Sequence, residues 1–197
     1  MTLETFLALV FFAFATAFTP GPNNIMLTAS AANYGLARTA PHIAGVVLGY
    51  AVVLCAAGGG LGGLIVAFPA VQTALKILGA AYMLWLAWKV ANAGRVQEGG
   101  GGARPLTFLQ AAAFQWVNPK GIIVAFGAVA LYVHPDSAVR DFAIMFAVFI
   151  ANTVGSALTW AGFGVALRAV LRNERHARIF NIVMALLLVA SIVPMVL

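Results

Sequence analysis

The sequence predicts an all-α integral membrane protein: six transmembrane helices arranged as a 3+3 inverted repeat, with helices one and four broken. Three observations carry this. Of 197 residues, 63% are hydrophobic and 8% charged, with mean hydropathy +0.99; soluble chains carry about 25% charge. The uncharged runs are apolar on all sides and longer than ~18 residues, which is the pattern of spanning helices and not the alternating ~10-residue segments of a barrel. Two of these runs contain prolines at corresponding positions of the two halves. The whole chain, 1–197, reads as a single transmembrane domain with no room for a soluble one.

The first helix runs from about residue 3 to 34 and is interrupted at Pro20–Pro22. Ala15-Thr16-Ala17 imitates a signal cleavage site, but the leader holds Glu4 and no Lys or Arg, so the helix is expected to be retained. The second, about 40–67, is ended by Phe68-Pro69; its Gly45, Gly49 and Gly58–Gly63 cluster suit close helix packing. The third, about 70–92, places Lys76 where it can snorkel and Trp85 and Trp88 beside Lys89 as interfacial anchors. The fourth, about 106–133, is interrupted at Asn118-Pro119; the fifth is about 139–167 and the sixth about 177–197. A hydrocarbon core is ~30 Å thick and a helix rises ~1.5 Å per residue. Helices one and four are too long to be straight spans.

Charge placement gives orientation. Arg38, Lys89, Arg95, Arg104, Arg168, Arg172, Arg175 and Arg178 fall on one side; the other has Arg140 alone, beside Asp136 and Asp141. Both termini are therefore expected outside, in a bacterial cytoplasmic (inner) membrane. On this view the run "RNERHAR" and the net charge of +6 are topology determinants, and nucleic acid is not a partner. The Gly-rich linker, about 96–103, joins halves of about 1–95 and 104–197. It lacks the Gly-Lys-Ser/Thr of a phosphate loop. Three spans per half force opposite orientations, the parity of an inverted repeat.

The breaks carry the chemistry. Pro20 and Pro22 lack N–H groups and end one half-helix around Gly21; Pro22 suits the first position of the next. Freed backbone groups cannot face lipid, so they must face protein or a watery cavity. A half-helix N-terminus at mid-membrane favours an anion, and Asn23 and Asn24 add amide groups. Pro119 starts a second such half-helix with Asn118 placed as its cap, and Lys120 sits at mid-span, where charges usually mark a substrate or ion path. Simpler roles account for the same residues: a packing kink for Pro-Gly-Pro, snorkelling or carbonyl pairing for Lys120. Asn152, mid-helix five, serves equally as a substrate contact or a helix–helix hydrogen bond. His42 can relay protons, but its place at the loop edge of helix two favours simple solvation. Cys55, the only cysteine, excludes an intrachain disulfide and reads as a small helix residue.

"FTPGPNNIMLTASAANYGLARTAPHIAGVVLGY" (Phe18–Tyr50) and "FQWVNPKGIIVAF" (Phe114–Phe126) resemble the signatures of the lysine-exporter (LysE/RhtB) superfamily of amino-acid exporters, and the resemblance covers essentially the whole chain. It implies secondary export of amino acids or their derivatives, driven by the proton gradient or membrane potential. Pro20, Gly21, Pro22, Asn118, Pro119 and Lys120 match its motifs. Tyr50 stands where several members carry an acid, which disfavours a carboxylate relay and a cationic substrate and favours a neutral or apolar one.

The expected partners are an amino acid, a coupling proton, the bilayer and further copies of the chain in a homo-oligomer; no cofactor is expected. An intramembrane enzyme would need a mid-membrane acid pair, a Ser/His arrangement or a metal-binding helix, and His42, His134 and His176 all lie near span ends. Export of another small solute or a metal ion is the alternative transport class, although metals need carboxylates, thiols or clustered histidines. A non-transporting membrane subunit is the other alternative, and it gives the matched breaks no purpose.

Overall fold

The structure, a computed structural model, describes residues 1–60, 68–93 and 104–193. These form eight α-helices and no strand: α1 (Leu3–Phe18), α2 (Pro22–Tyr34), α3 (Leu36–Gly58), α4 (Pro69–Ala91), α5 (Phe108–Gln115), α6 (Pro119–Tyr132), α7 (Ala138–Leu167) and α8 (Glu174–Ala190). Starts are set by local chemistry. Thr2 accepts from Thr5 N at α1, Thr107 and Gln110 form a capping box at α5, and Asn173 caps α8; each satisfies N–H groups that a first turn leaves free.

Among the described residues, α3, Thr73–Ala91 of α4 and the run Pro135–Leu167 are long and apolar enough to cross a membrane. The pairs α1/α2 and α5/α6 qualify only together, bent by 53° and 57° at their breaks. That makes up to five spans where the sequence predicts six. The remaining helix, α8, starts at Glu174, ahead of the expected 177, and is 17 residues long. Its expected end at 194–197 lies outside the described residues, as do Gly62, Gly63, Arg95 and the linker 96–103.

The helix α2 is the axis of the fold. Nearly all of it is buried, and it packs on α3, α4, α7 and α8. Small residues allow the close approaches. Gly49 of α3 faces α5, where an added Cβ would stand 2.6 Å from Ala112 Cα; Gly45 likewise abuts Phe108, and Gly164 of α7 abuts the α2 backbone at Thr28. Packing against Leu9, Tyr50, Leu54, Ala125, Met145 and Phe149 joins α1, α3, α6 and α7. The outer faces stay apolar: Phe11 is 73% exposed, Leu109 74% and Ile123 70%, a surface suited to lipid.

One boundary has consequences. The second span begins at Leu36, not near 40, because Gly35 turns the chain with φ +80, a conformation glycine adopts without penalty. His42 therefore lies almost two turns inside α3. It is fully buried, with Nδ1 3.0 Å from Ser30 Oγ of α2, and is not the solvated loop-edge histidine expected.

Candidate functional site: a cavity where the two chain breaks meet

Both breaks open onto one cavity. Pro20 and Pro22 have no N–H to give the carbonyls of Thr16 and Phe18, so α1 stops at Phe18 and Pro22 takes the first position of α2. Pro119 does the same for α6. In each new helix the next two N–H groups, those of Asn23 and Asn24 and of Lys120 and Gly121, precede the first intrahelical bonds, Ile25 N to Gly21 O and Ile122 N to Asn118 O. All four residues line the cavity, whose volume is about 600 Å³ with its mouth included. Two positive helix ends thus converge on one space. Among the described residues Lys120 is the only charged one lining it, and Leu27, Val46, Val124 and Phe149 supply apolar wall.

The polar side chains are arranged across the two breaks. Lys120 Nζ donates to Thr19 O at 2.8 Å. Asn23 of α2 and Gln115 of α5 exchange two amide hydrogen bonds, 2.8 and 3.0 Å, and Gln115 Nε2 also donates to Ala111 O. Asn24 Nδ2 donates to Ala17 O and Thr19 O at 2.9 and 3.0 Å, while Ser156 Oγ of α7 donates to Ala17 O at 2.6 Å. Asn118 Oδ1 is buried with no partner among the described residues. An orphaned acceptor of this kind costs about 1–3 kcal/mol; Asn118 itself is part of the cavity lining.

Of the predicted site residues, Gly21, Pro22, Asn23, Asn24, Tyr50, Asn118 and Lys120 line the cavity. Pro20 and Pro119 shape it from the adjoining backbone. Asn152 does not line it: its amide donates to Val148 O of its own helix, and the next residue, Thr153, takes the place on the wall. Asn118 holds the N-cap position of α6, but its side chain makes no capping bond. Beside the carbonyls of Thr16 and Phe18, those of Ala17 and Thr19 are taken by Asn24, Ser156 and Lys120. Gln115 and Ser156 are missing from the sequence reading. Gln115 has a signal, being a polar residue three positions before Asn118 in an apolar run; Ser156 has none to set it apart from other helix serines.

The chain matches the family model described as LysE type translocator over residues 14–192. It is 36% identical over 176 residues to the cysteine/O-acetylserine efflux protein of Escherichia coli (strain K12), with 88% of each chain covered. The proteins of that name from Shigella sonnei (strain Ss046) and Shigella flexneri are similar to the same degree. No solved structure matches.

Proposed function

This chain belongs to the LysE type translocator family, and from that premise we propose that it exports a small neutral amino acid or amino-acid derivative from the cytoplasm by secondary transport. One observation carries the reading: Lys120 and the residues that bear four helix-start N–H groups line a cavity with no acidic residue among its described lining. A carboxylate satisfies those donors. The ammonium group of the same molecule fits the carbonyl of Thr16, a residue of the cavity lining, which Pro20 leaves without its helical donor. The side chain lies against Leu27, Val46, Val124 and Phe149. A lysine- or arginine-like side chain would bring a second cation with no counter-ion. Cysteine and O-acetylserine, after which the relatives are named, are small and neutral, so they are the first candidates.

The proposed architecture is six spans, with α8 and the apolar residues after it as the sixth. Each half, about 1–95 and 104–197, holds one broken helix followed by two unbroken ones. The similar bends of 53° and 57° support this 3+3 inverted repeat. Rocking of one half against the other across the linker 96–103 would expose the cavity to each side in turn, driven by a proton gradient or the membrane potential. The Lys/Arg bias favours a multi-pass protein of the cytoplasmic (inner) membrane with both termini outside. The role is transport, without enzymatic chemistry.

The test is flux in proteoliposomes holding the purified protein. Labelled O-acetyl-L-serine and L-cysteine should exchange across the bilayer, and L-lysine should not. Equal exchange of lysine, or exchange of none of the three, would overturn the assignment.

A further inference from the structure

A second cavity, of about 720 Å³ with its mouth included, lies between α2, the end of α4 and the segment leading into α5. Among the described residues its lining includes two cations, Lys89 and Arg104, and no acidic residue. Lys89 is held over the Trp85 ring, 4.9 Å from its centroid. The inner wall is polar and ordered. Ser30, 8% exposed, is bonded to His42 Nδ1 at 3.0 Å, and Asn33, 4% exposed, pairs with Asn181 of α8 at 2.8 and 3.2 Å. Just behind Ser30, His42 Nε2 has no partner among the described residues. A space whose described lining holds two cations and no acid, with the Ser30 hydroxyl on its inner wall, is chemically a site for an anion.

The same helix serves both cavities. Leu27 lines the broken-helix cavity and Met26 the second; Asn23 and Ser30, seven residues apart along α2, are separated by about 10 Å at a helical rise. We infer that the second cavity is a waiting site for the carboxylate of the exported amino acid, occupied before the molecule reaches the broken-helix cavity. This rests on the exporter reading above. Lys89 and Arg104 belong to the cation-rich side, which an exporter's substrate approaches first. A lipid headgroup shares the anionic chemistry, but its acyl chains must stay outside, and the polar atoms here lie deep against α2.

Thiol labelling tests the inference. Ala93 lines the cavity, and its backbone carbonyl, not its side chain, receives Asn181 Nδ2. Ala93→Cys in a Cys55→Ala background is purified and reacted with sulfonate-bearing and trimethylammonium-bearing methanethiosulfonates, each rate normalised to a small free thiol. The sulfonate should react at least about tenfold faster, as electrostatic steering of an anion into a cationic cleft gives. Lys89→Gln with Arg104→Gln should remove the preference. O-acetyl-L-serine should slow labelling, and should still do so with Lys120→Gln present. Tyr34→Cys, on another wall, is the second reporter if Ala93→Cys does not fold. Absence of a preference, or protection by phosphatidylglycerol and not by O-acetyl-L-serine, overturns the inference. Loss of protection with intact O-acetyl-L-serine flux in proteoliposomes sinks this site alone; loss of both sinks the exporter reading with it.

Discussion

Lys120 Nζ reaches across the gap between the two chain breaks and donates to the Thr19 carbonyl at 2.8 Å. The lysine that opens α6 is thus positioned by the end of α1. Gly21 explains how the two come so close. Its backbone is extended, with φ −168, so the glycine is not there for conformational freedom; a Cβ would stand 3.2 Å from both Cδ and Nζ of Lys120. The smallest residue leaves the lysine room beside the break.

The Asn23–Gln115 pair should behave as one unit. Gln115→Leu leaves a part-buried Asn23 amide unpaired, at a cost of about 1–3 kcal/mol, and Asn23→Leu does the reverse. The double replacement should lower the melting temperature in detergent by clearly less than the sum of the two singles, as coupled neighbours do. Strictly additive losses would mean that the two amides do not depend on each other.

Asn118 should separate binding from stability. Its Oδ1 has no partner among the described residues to lose, so Asn118→Ala is expected to leave the melting temperature within a few degrees of wild type. Substrate affinity should fall about tenfold, the equivalent of one hydrogen bond to a charged group. Ligand binding and thermal unfolding measured on the same preparation check both halves, and a collapsed melting temperature with unchanged affinity would reverse the roles.

Packing glycines should respond according to the space around them. Gly49→Val pushes a side chain into Ala112, whose Cα lies 2.6 Å from the nearest possible Cβ, whereas nothing lies within 4 Å at Gly127. Overpacking of this kind costs typically ~1–3 kcal/mol. The monodisperse fraction on size exclusion should drop for Gly49→Val and stay at the wild-type level for Gly127→Ala.

The breaks are legible in the sequence because proline chemistry is local: each of Pro20, Pro22 and Pro119 removes a helical N–H, and two of them bracket a glycine while the third follows an asparagine, so the chain stops its helix there. What the breaks turn towards is not local. Ser156, which α7 delivers from far along the chain, joins Asn24 on the Ala17 carbonyl. The choice of Thr153 over Asn152 is set by the rotation of α7 about its axis, one residue being enough to change the face. His42 escapes the sequence for a different reason. The second helix is expected from about 40, whereas Gly35 starts α3 earlier and α3 tolerates Pro41 within it, which carries His42 into the core.

If the joined breaks hold a carboxylate through Lys120, transport must depend on that charge. The direct measurement is efflux of labelled O-acetyl-L-serine from preloaded cells, with membrane insertion of each variant checked separately. Lys120→Ala should weaken apparent affinity about ten- to a hundredfold, the loss of one buried charged hydrogen bond at about 1.5–3 kcal/mol. Lys120→Glu should abolish efflux, since a second anion faces the substrate's own. Efflux at the wild-type rate from correctly inserted Lys120→Glu would rule out carboxylate binding by Lys120 and leave it a structural tie to Thr19.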